Sequence, residues 1–404
     1  MAFDGEAREK RFQEKRNPLL HPGERKNKDL EPGFDFLKSE MALRALADRD
    51  MLDAVALVPG ANFVHVYGHG FHQNERCLMV IIQRQGPNLA IVPALEAASF
   101  DRIGFAGEVF FWRDNDGPTQ AISEAAARLQ NVRRLGVEGQ RMRVMEHHQL
   151  KNALPDLEII DCHAAISSTL RLHKSAADIA RLSRAIEISE IALEQTLQSV
   201  SAGQTEMQVQ NVLLANLFAA GAQGLSFTPI VAAGANSHRP HASARTDYAI
   251  KPGDALLLDF GATYEGFCAD ITRTVFVDSC DDRGRAQYGV VLAANTAGRE
   301  AARPGITCDA LDRRVLGVLE ASPFAQFVRT KTGHGLGRDV HEDPYIMVGN
   351  TQVLEPGMVF TIEPGLYVPG VAGVRIEDDV VITADGAQSL TSFPRDLRIV
   401  GQEN

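Results

Sequence analysis

The sequence predicts an α+β chain of two domains: a smaller α/β domain, then a larger one of long helices and glycine-rich strands. Three observations predict it. The 404 residues amount to about two domains at the usual ~100–200 residues each. Up to about residue 165, short apolar runs alternate with helical patterns. Beyond that, two long amphipathic helices precede a β-rich stretch in which strands and helices no longer alternate.

Residues 1–33 mix both signs of charge with Pro18, Pro22, Gly23 and Pro32, and predict a charged, flexible N-terminal arm. A helical pattern then runs from Phe34 to Leu52. Val55–Val58, Phe63–Tyr67, Leu78–Gln83 and Leu89–Val92 read as strands. Thr119–Gln130 reads as a helix, and Leu135–Val137 and Leu157–Asp161 as strands. From Lys174 to Leu197, apolar residues at Ile179, Leu182, Ile186 and Leu193 mark one long amphipathic helix. Thr205–Ala220 is a second. The boundary falls near 165–174, which divides the chain into an arm (1–33), an α/β domain (34–170) and a larger domain (171–404).

The net charge of −11 argues against a protein devoted to nucleic acid or to an anionic membrane. The five cysteines form no CxxC pair, so neither a disulfide framework nor a thiolate zinc site is expected. No apolar run suits a signal peptide or a membrane helix, and a reducing cytoplasm fits.

The chemistry concentrates in the second half. Ala255–Val277 reads as an antiparallel hairpin with a turn at Tyr264–Gly266. A turn centred between Tyr264 and Glu265 sets Asp259 directly opposite Asp270. Like charges so placed are destabilising unless a cation or a shared proton lies between them. The segment Val359–Glu377 repeats the arrangement around Pro369-Gly370, with Glu363 opposite Glu377. Strand alternation turns Asp378 to the other face, so either Glu377 or Asp379 faces inward. Between the hairpins lies Thr332-Gly-His334-Gly-Leu-Gly, whose glycines allow close backbone approach and leave the imidazole accessible. Each piece alone fits a solvated face or a turn. Together, four carboxylates and one imidazole match two divalent cations of hard or borderline type: Mn, Co, Zn or Fe(II). Such a pair can share a bridging water and lower its pKa.

At these residues the sequence resembles the pita-bread metallopeptidase family, which includes methionine aminopeptidase, aminopeptidase P, prolidase (Xaa-Pro dipeptidase) and creatinase. The intervals of 11, 29 and 14 residues within Asp259–Asp270, His334–Glu363 and Glu363–Glu377 match those of small prolidases. GHGLG, HEDP, TIEPGLY and VRIEDDV look like the Xaa-Pro branch, as does the stretch from Thr228 to His241, and the chain as a whole is most similar to Xaa-Pro dipeptidase (prolidase). The resemblance implies a C-terminal pita-bread catalytic domain behind a smaller, creatinase-type α/β domain. It implies a metal-ligand set of Asp259, Asp270, His334, Glu363 and Glu377, with Asp378 and Asp379 outside it. Manganese is the first expectation for both cations, with Co, Zn or Fe as alternatives.

The resemblance also implies roles. Glu363 takes a proton from the bridging water and passes it to the leaving amine. His341 and His241 position the scissile carbonyl and stabilise the intermediate. Arg375 faces the carboxylates and holds them. The run His65-Val-Tyr67-Gly-His69-Gly-Phe-His72 reads as strand and loop, poorly spaced for a metal site on one helix face. Its position makes His69 and Tyr67 candidate substrate contacts, although Tyr67 and Trp112 also suit a core.

The implied activity is hydrolysis of the Xaa-Pro bond in dipeptides or short peptides by a homodimer. An aminopeptidase P acting on longer peptides, and a hydrolase of the same fold acting on a small non-peptide molecule, are the alternatives. A creatinase-like enzyme or a non-catalytic adaptor would have lost ligands, and none is missing. A dipeptidase needs a basic residue for the substrate carboxylate. Tyr345 stands after HEDP, and Arg338 and Arg395 are the candidates.

Overall fold

The structure, a computed structural model, describes residues 36–129 and 131–401. The arm read over 1–33 lies outside the described residues. Contacts divide the chain into Met1–Leu170 and Arg171–Asn404.

In the first unit the apolar runs build one mixed six-stranded sheet. Its strand order is 107–112, 88–93, 79–83, 54–57, 134–137, 158–161. Successive residues of the strand Ala54–Leu57 serve two cores. Val55 and Leu57 pack on one face, and Ala54 and Ala56 on the other. A sheet covered on both sides reads as continuous apolar runs rather than alternation. Trp112 belongs to this interior, with its indole N–H donating to the Cys77 carbonyl at 2.9 Å.

One expected strand is a helix. Phe63–Tyr67 lies within the helix Ala61–Tyr67, which ends on Gly68 in the left-handed region (φ 68°). Its buried residues, Asn62, Phe63, Val66 and Tyr67, follow the spacing of one helix face. The rings of Phe63 and Tyr67, one turn apart, sit 4.9 Å from each other. A five-residue apolar run fits either period, and the two flanking glycines decide it. The strand Gly107–Trp112 and the helix Val144–Ala153 escape sequence reading. The strand is a half-exposed edge, and the helix buries only Glu146 and Leu150.

In the second unit, four helices surround the sheets. Ala176–Leu197 starts on a Ser175/Asp178 capping box and Glu206–Ala219 on a Thr205/Gln208 box. Asp281 and Thr307 cap Asp282–Ala301 and Cys308–Glu320. One sheet runs 399–400, 271–277, 255–260, 230–233, and a second runs 342–346, 333–335, 359–362, 378–383, 386–389. Two-stranded 365–368/372–375 and a small sheet through 262–264 complete it. No described helix is long and apolar enough to cross a membrane.

The registers of the two acidic hairpins differ in how they meet expectation. In the first, Asp259 pairs with Thr272, not with Asp270. The turn is centred on Glu265-Gly266, both at positive φ (47° and 73°), one residue later than expected. That moves every partner by two, so Asp270 becomes the diagonal neighbour of Asp259. Because side chains alternate with period two, it stays on the same face. In the second hairpin, Ile362 pairs with Asp378 and Gly365 with Arg375. That register sets Glu363 across from Glu377, as expected.

Candidate metal centre

Two hairpins and one glycine-flanked strand deliver the acids and the imidazole to one place. Oxygens of Asp259, Asp270 and Glu377 lie within 4.8 Å of one another, as do donor atoms of His334, Glu363 and Glu377. Asp259, Asp270, His334 and Glu377 are each less than a tenth exposed. His334 is therefore not held open by its glycines. Their reason is backbone approach: a Cβ on Gly333 would sit 1.9 Å from the Thr361 carbonyl oxygen, and one on Gly335 2.2 Å from that of Asp343.

The neighbours fix each carboxylate. Arg375, 3% exposed, binds Asp259 Oδ2 through one arm, donates to Tyr367 Oη at 2.7 Å, and to Thr272 Oγ1 at 3.0 Å. Thr272 Oγ1 in turn donates to Glu377 Oε2 at 2.5 Å. Thr361 Oγ1 accepts the His334 backbone N–H at 3.1 Å and donates to Glu363 Oε1 at 3.2 Å. His334 Nδ1 lies 3.1 Å from its neighbouring Gly335 carbonyl, which leaves Nε2 towards Glu363 Oε1 (3.2 Å) and Asp270 Oδ2 (3.6 Å). Asp378 faces away, bound by Arg273 at 2.8 Å and Arg395 at 2.7 Å. Asp379 lies behind Asp270, accepting its backbone N–H at 3.2 Å.

Crowding shapes the electrostatics. Burial first, then Glu377, Asp259 and the other acids, raises the Asp270 carboxyl well above the carboxylate range. Burial and then Glu363 and Asp259 do the same to Glu377. Asp259 is raised by burial against the pull of Arg375. Glu363 goes the other way: burial pushes it up, but the hydrogen bond and charge of His334, with Arg375 and Lys331, hold it below its ordinary value. Burial, then His334, lowers the His341 imidazole to about 4. Oδ1 of Asp259 and Oδ1 of Asp270 are buried without a hydrogen-bond partner. Oxygen donors packed this tightly, with two orphaned atoms and one adjacent imidazole, fit divalent cations.

Of the remaining sequence candidates, His341 packs its ring against His334 with centroids 4.0 Å apart. His241 is exposed, near enough for its charge to bear on His341. Tyr67 is corrected. It is fully buried in the core of the first unit among Phe36, Phe63 and Phe105, and offers no surface to a substrate. His69, partly buried in the same unit, stands edge-on to Phe71 at 5.0 Å. Among the described residues, no metal-capable group includes His65, His69 or His72. Arg395 is engaged with Asp378 and the Thr391 carbonyl, and Arg338 stacks 4.4 Å from the Phe267 ring centroid.

Several residues escaped sequence reading. Thr272 and Thr361 sit in strands whose alternation could have flagged them as inward. Lys331 Nζ stands 5.3 Å from the Tyr345 ring centroid, with nothing in its sequence context to single it out. Glu206, fully buried, accepts from the backbone N–H groups of Ala233 (2.7 Å) and Arg245 (2.7 Å), from Asn236 (3.0 Å) and from the Arg245 guanidinium (2.7 Å). It closes the base of the loop that carries His241.

Comparison with known proteins follows the same division. Residues 180–384 match metallopeptidase family M24, and residues 41–173 match the creatinase/prolidase N-terminal domain. The chain is 33% identical over 348 residues to the putative dipeptidase YkvY of Bacillus subtilis, covering 84% of this chain and 95% of that one. It is 31% identical to an Xaa-Pro dipeptidase of Lactobacillus helveticus, covering 82% of this chain and 91% of the relative. Among solved structures, a Thermococcus sibiricus prolidase superposes with a TM-score of 0.84 at 30% identity, over 91% and 99% of the two chains. An Xaa-Pro dipeptidase from Bacillus anthracis gives 0.82 at 29%, over 91% and 100%.

Proposed function

Because the chain belongs to metallopeptidase family M24, we propose that it is a two-cation peptidase cutting the Xaa-Pro bond of dipeptides and short peptides. The ligands are Asp259, Asp270, His334, Glu363 and Glu377. The observation that carries this is the buried acid cluster with orphaned oxygens on Asp259 and Asp270. Manganese suits the oxygen-rich set best. Bound there, the cations would supply Lewis acidity, polarising a carbonyl and acidifying water.

The chain's own residues do the rest. Glu363 stays ionised at the pH of a cell, and the Thr361 hydroxyl orients its Oε1. Its Oε2 takes the proton from the attacking water and returns it to the departing prolyl nitrogen. His341, neutral at that pH, donates a ring N–H to the scissile carbonyl oxygen, with His241 beside it. No step asks for a substrate amide N–H, which a bond to proline lacks. Lys331, half-buried and close enough for its charge to act on Glu363 and His341, receives the dipeptide carboxylate. Dipeptides are favoured over longer peptides because the two sequence relatives described above are a putative dipeptidase and an Xaa-Pro dipeptidase by name. A homodimer, implied by the family resemblance, is checked by light scattering.

Hydrolysis of Ala-Pro, Ala-Pro-Ala and Ala-Ala, with metal content measured alongside, tests the reading. Ala-Pro is expected to be cut fastest, and Glu363→Gln to lower kcat by about 10²–10⁴-fold. Ala-Ala cleaved in preference to Ala-Pro removes the proline assignment. Full activity in Glu363→Gln removes the proton-transfer role.

A further inference from the structure

One group of donors adds a residue, His341, to the five-ligand set. A carboxylate oxygen of Asp270 and ring nitrogens of His334 and His341 lie within 4.8 Å of one another. Asp270 is 4% exposed, and its Oδ1 has no hydrogen-bond partner. Among the described residues, no hydrogen bond reaches either nitrogen of His341. Its ring meets His334 at an interplanar angle of 60°, an arrangement in which one imidazole flanks the other rather than covering it.

The backbone beside His341 is anchored by ion pairs, while its ring is held by the contact with His334 and by no hydrogen bond among the described residues. The next residue, Glu342, is buried, paired with Arg171 and with Lys174 Nζ at 2.8 Å. Arg171 also holds Asp339 at 2.9 Å. The His341 side chain, on the other side of the chain, is exposed.

We infer that His341 is a reversible sixth ligand, closing on the cation that His334 and Asp270 hold. This rests on the two-cation reading above. Two nitrogens and an oxygen favour borderline cations such as Co²⁺ or Zn²⁺, whereas Asp259, Asp270 and Glu377 present oxygen alone. The two positions are therefore chemically unequal. The ring that caps the cation is also the ring that meets the substrate carbonyl, so capping and substrate contact exclude each other. A site closed at rest and opened by its substrate follows, the fourth or later coordination position being the one a catalytic metal keeps for substrate.

Co²⁺ titrated into the metal-stripped full-length chain, followed by visible absorption and calorimetry, tests the inference. Wild type is expected to take up two equivalents. In His341→Ala, one equivalent is expected to bind at least tenfold more weakly with an altered absorption band, the other remaining unchanged. His341→Asn, closer in size, is expected to behave alike, and far-ultraviolet circular dichroism confirms that both variants fold. His334→Ala is the control that loses the same equivalent. Unchanged affinity and absorption for both equivalents in both His341 variants overturns the inference and leaves the two-cation reading intact. A wild-type chain that binds no Co²⁺ overturns both.

Discussion

Arg375 shows how single side chains decide the behaviour of the acid cluster. One guanidinium reaches Asp259, Tyr367 and Thr272, and Thr272 carries the contact on to Glu377. Its own pKa is raised well above the usual value; burial opposes this, but Tyr367, Asp259 and the glutamates outweigh it. A permanently charged, planar donor suits that task in a way a lysine does not. The carboxylate role proposed for Lys331 carries the most specific consequence for substrate choice. Lys331→Met is expected to raise KM for Ala-Pro about tenfold, the worth of one charge-assisted hydrogen bond. Its kcat is expected to change little. Ala-Pro amide, which has no carboxylate, should be handled equally by both proteins. Steady-state kinetics on the two substrates separates these outcomes, and a parallel loss on the amide removes the carboxylate role.

At the scale of elements, a clamp outside the acid cluster holds the loop that carries His241. Glu206 lies at the start of the helix Glu206–Ala219, yet its carboxylate is spent on the loop between Ala233 and Arg245. Glu206→Ala leaves two backbone N–H groups and a guanidinium without their acceptor. Urea denaturation is expected to show a loss of about 3 kcal/mol, typical of removing one partner from a buried pair. A loss below about 1 kcal/mol would mean the loop is held by other contacts. The hairpins make a related point about register. A turn displaced by one residue changes every partner, but the displacement of partners by two keeps Asp259 and Asp270 on one face. The common placement of the two acids survives because the strand period is two, and the pairing itself does not have to join them.

At the scale of the molecule, the two units carry separate cores and separate kinds of information. All five proposed ligands fall within Arg171–Asn404. Cation binding should therefore stabilise that unit, by about 2.7 kcal/mol at a hundredfold excess over Kd. Calorimetry with and without a chelator is expected to lower one unfolding transition and leave that of Met1–Leu170 in place. A uniform shift of both would show that the units unfold together. The sequence alone determined the architecture and brought forward the candidate carboxylates and imidazole, which the family resemblance completed as a proposed ligand set. Strand and helix periods, turn residues and the spacings 259–270, 334–363 and 363–377 are local, and local chemistry is written residue by residue. It did not determine which acid pairs with which, that Tyr67 is interior, or where Glu206, Lys331 and the threonines lie relative to the acid cluster and its loops. Those depend on which distant segments meet: Arg375 with Thr272, Glu206 with Arg245, Arg171 with Glu342. Burial and partnership are properties of that meeting. Only the folded chain brings two segments a hundred residues apart within hydrogen-bond reach, and only there do buried charges acquire their partners and their pKa values.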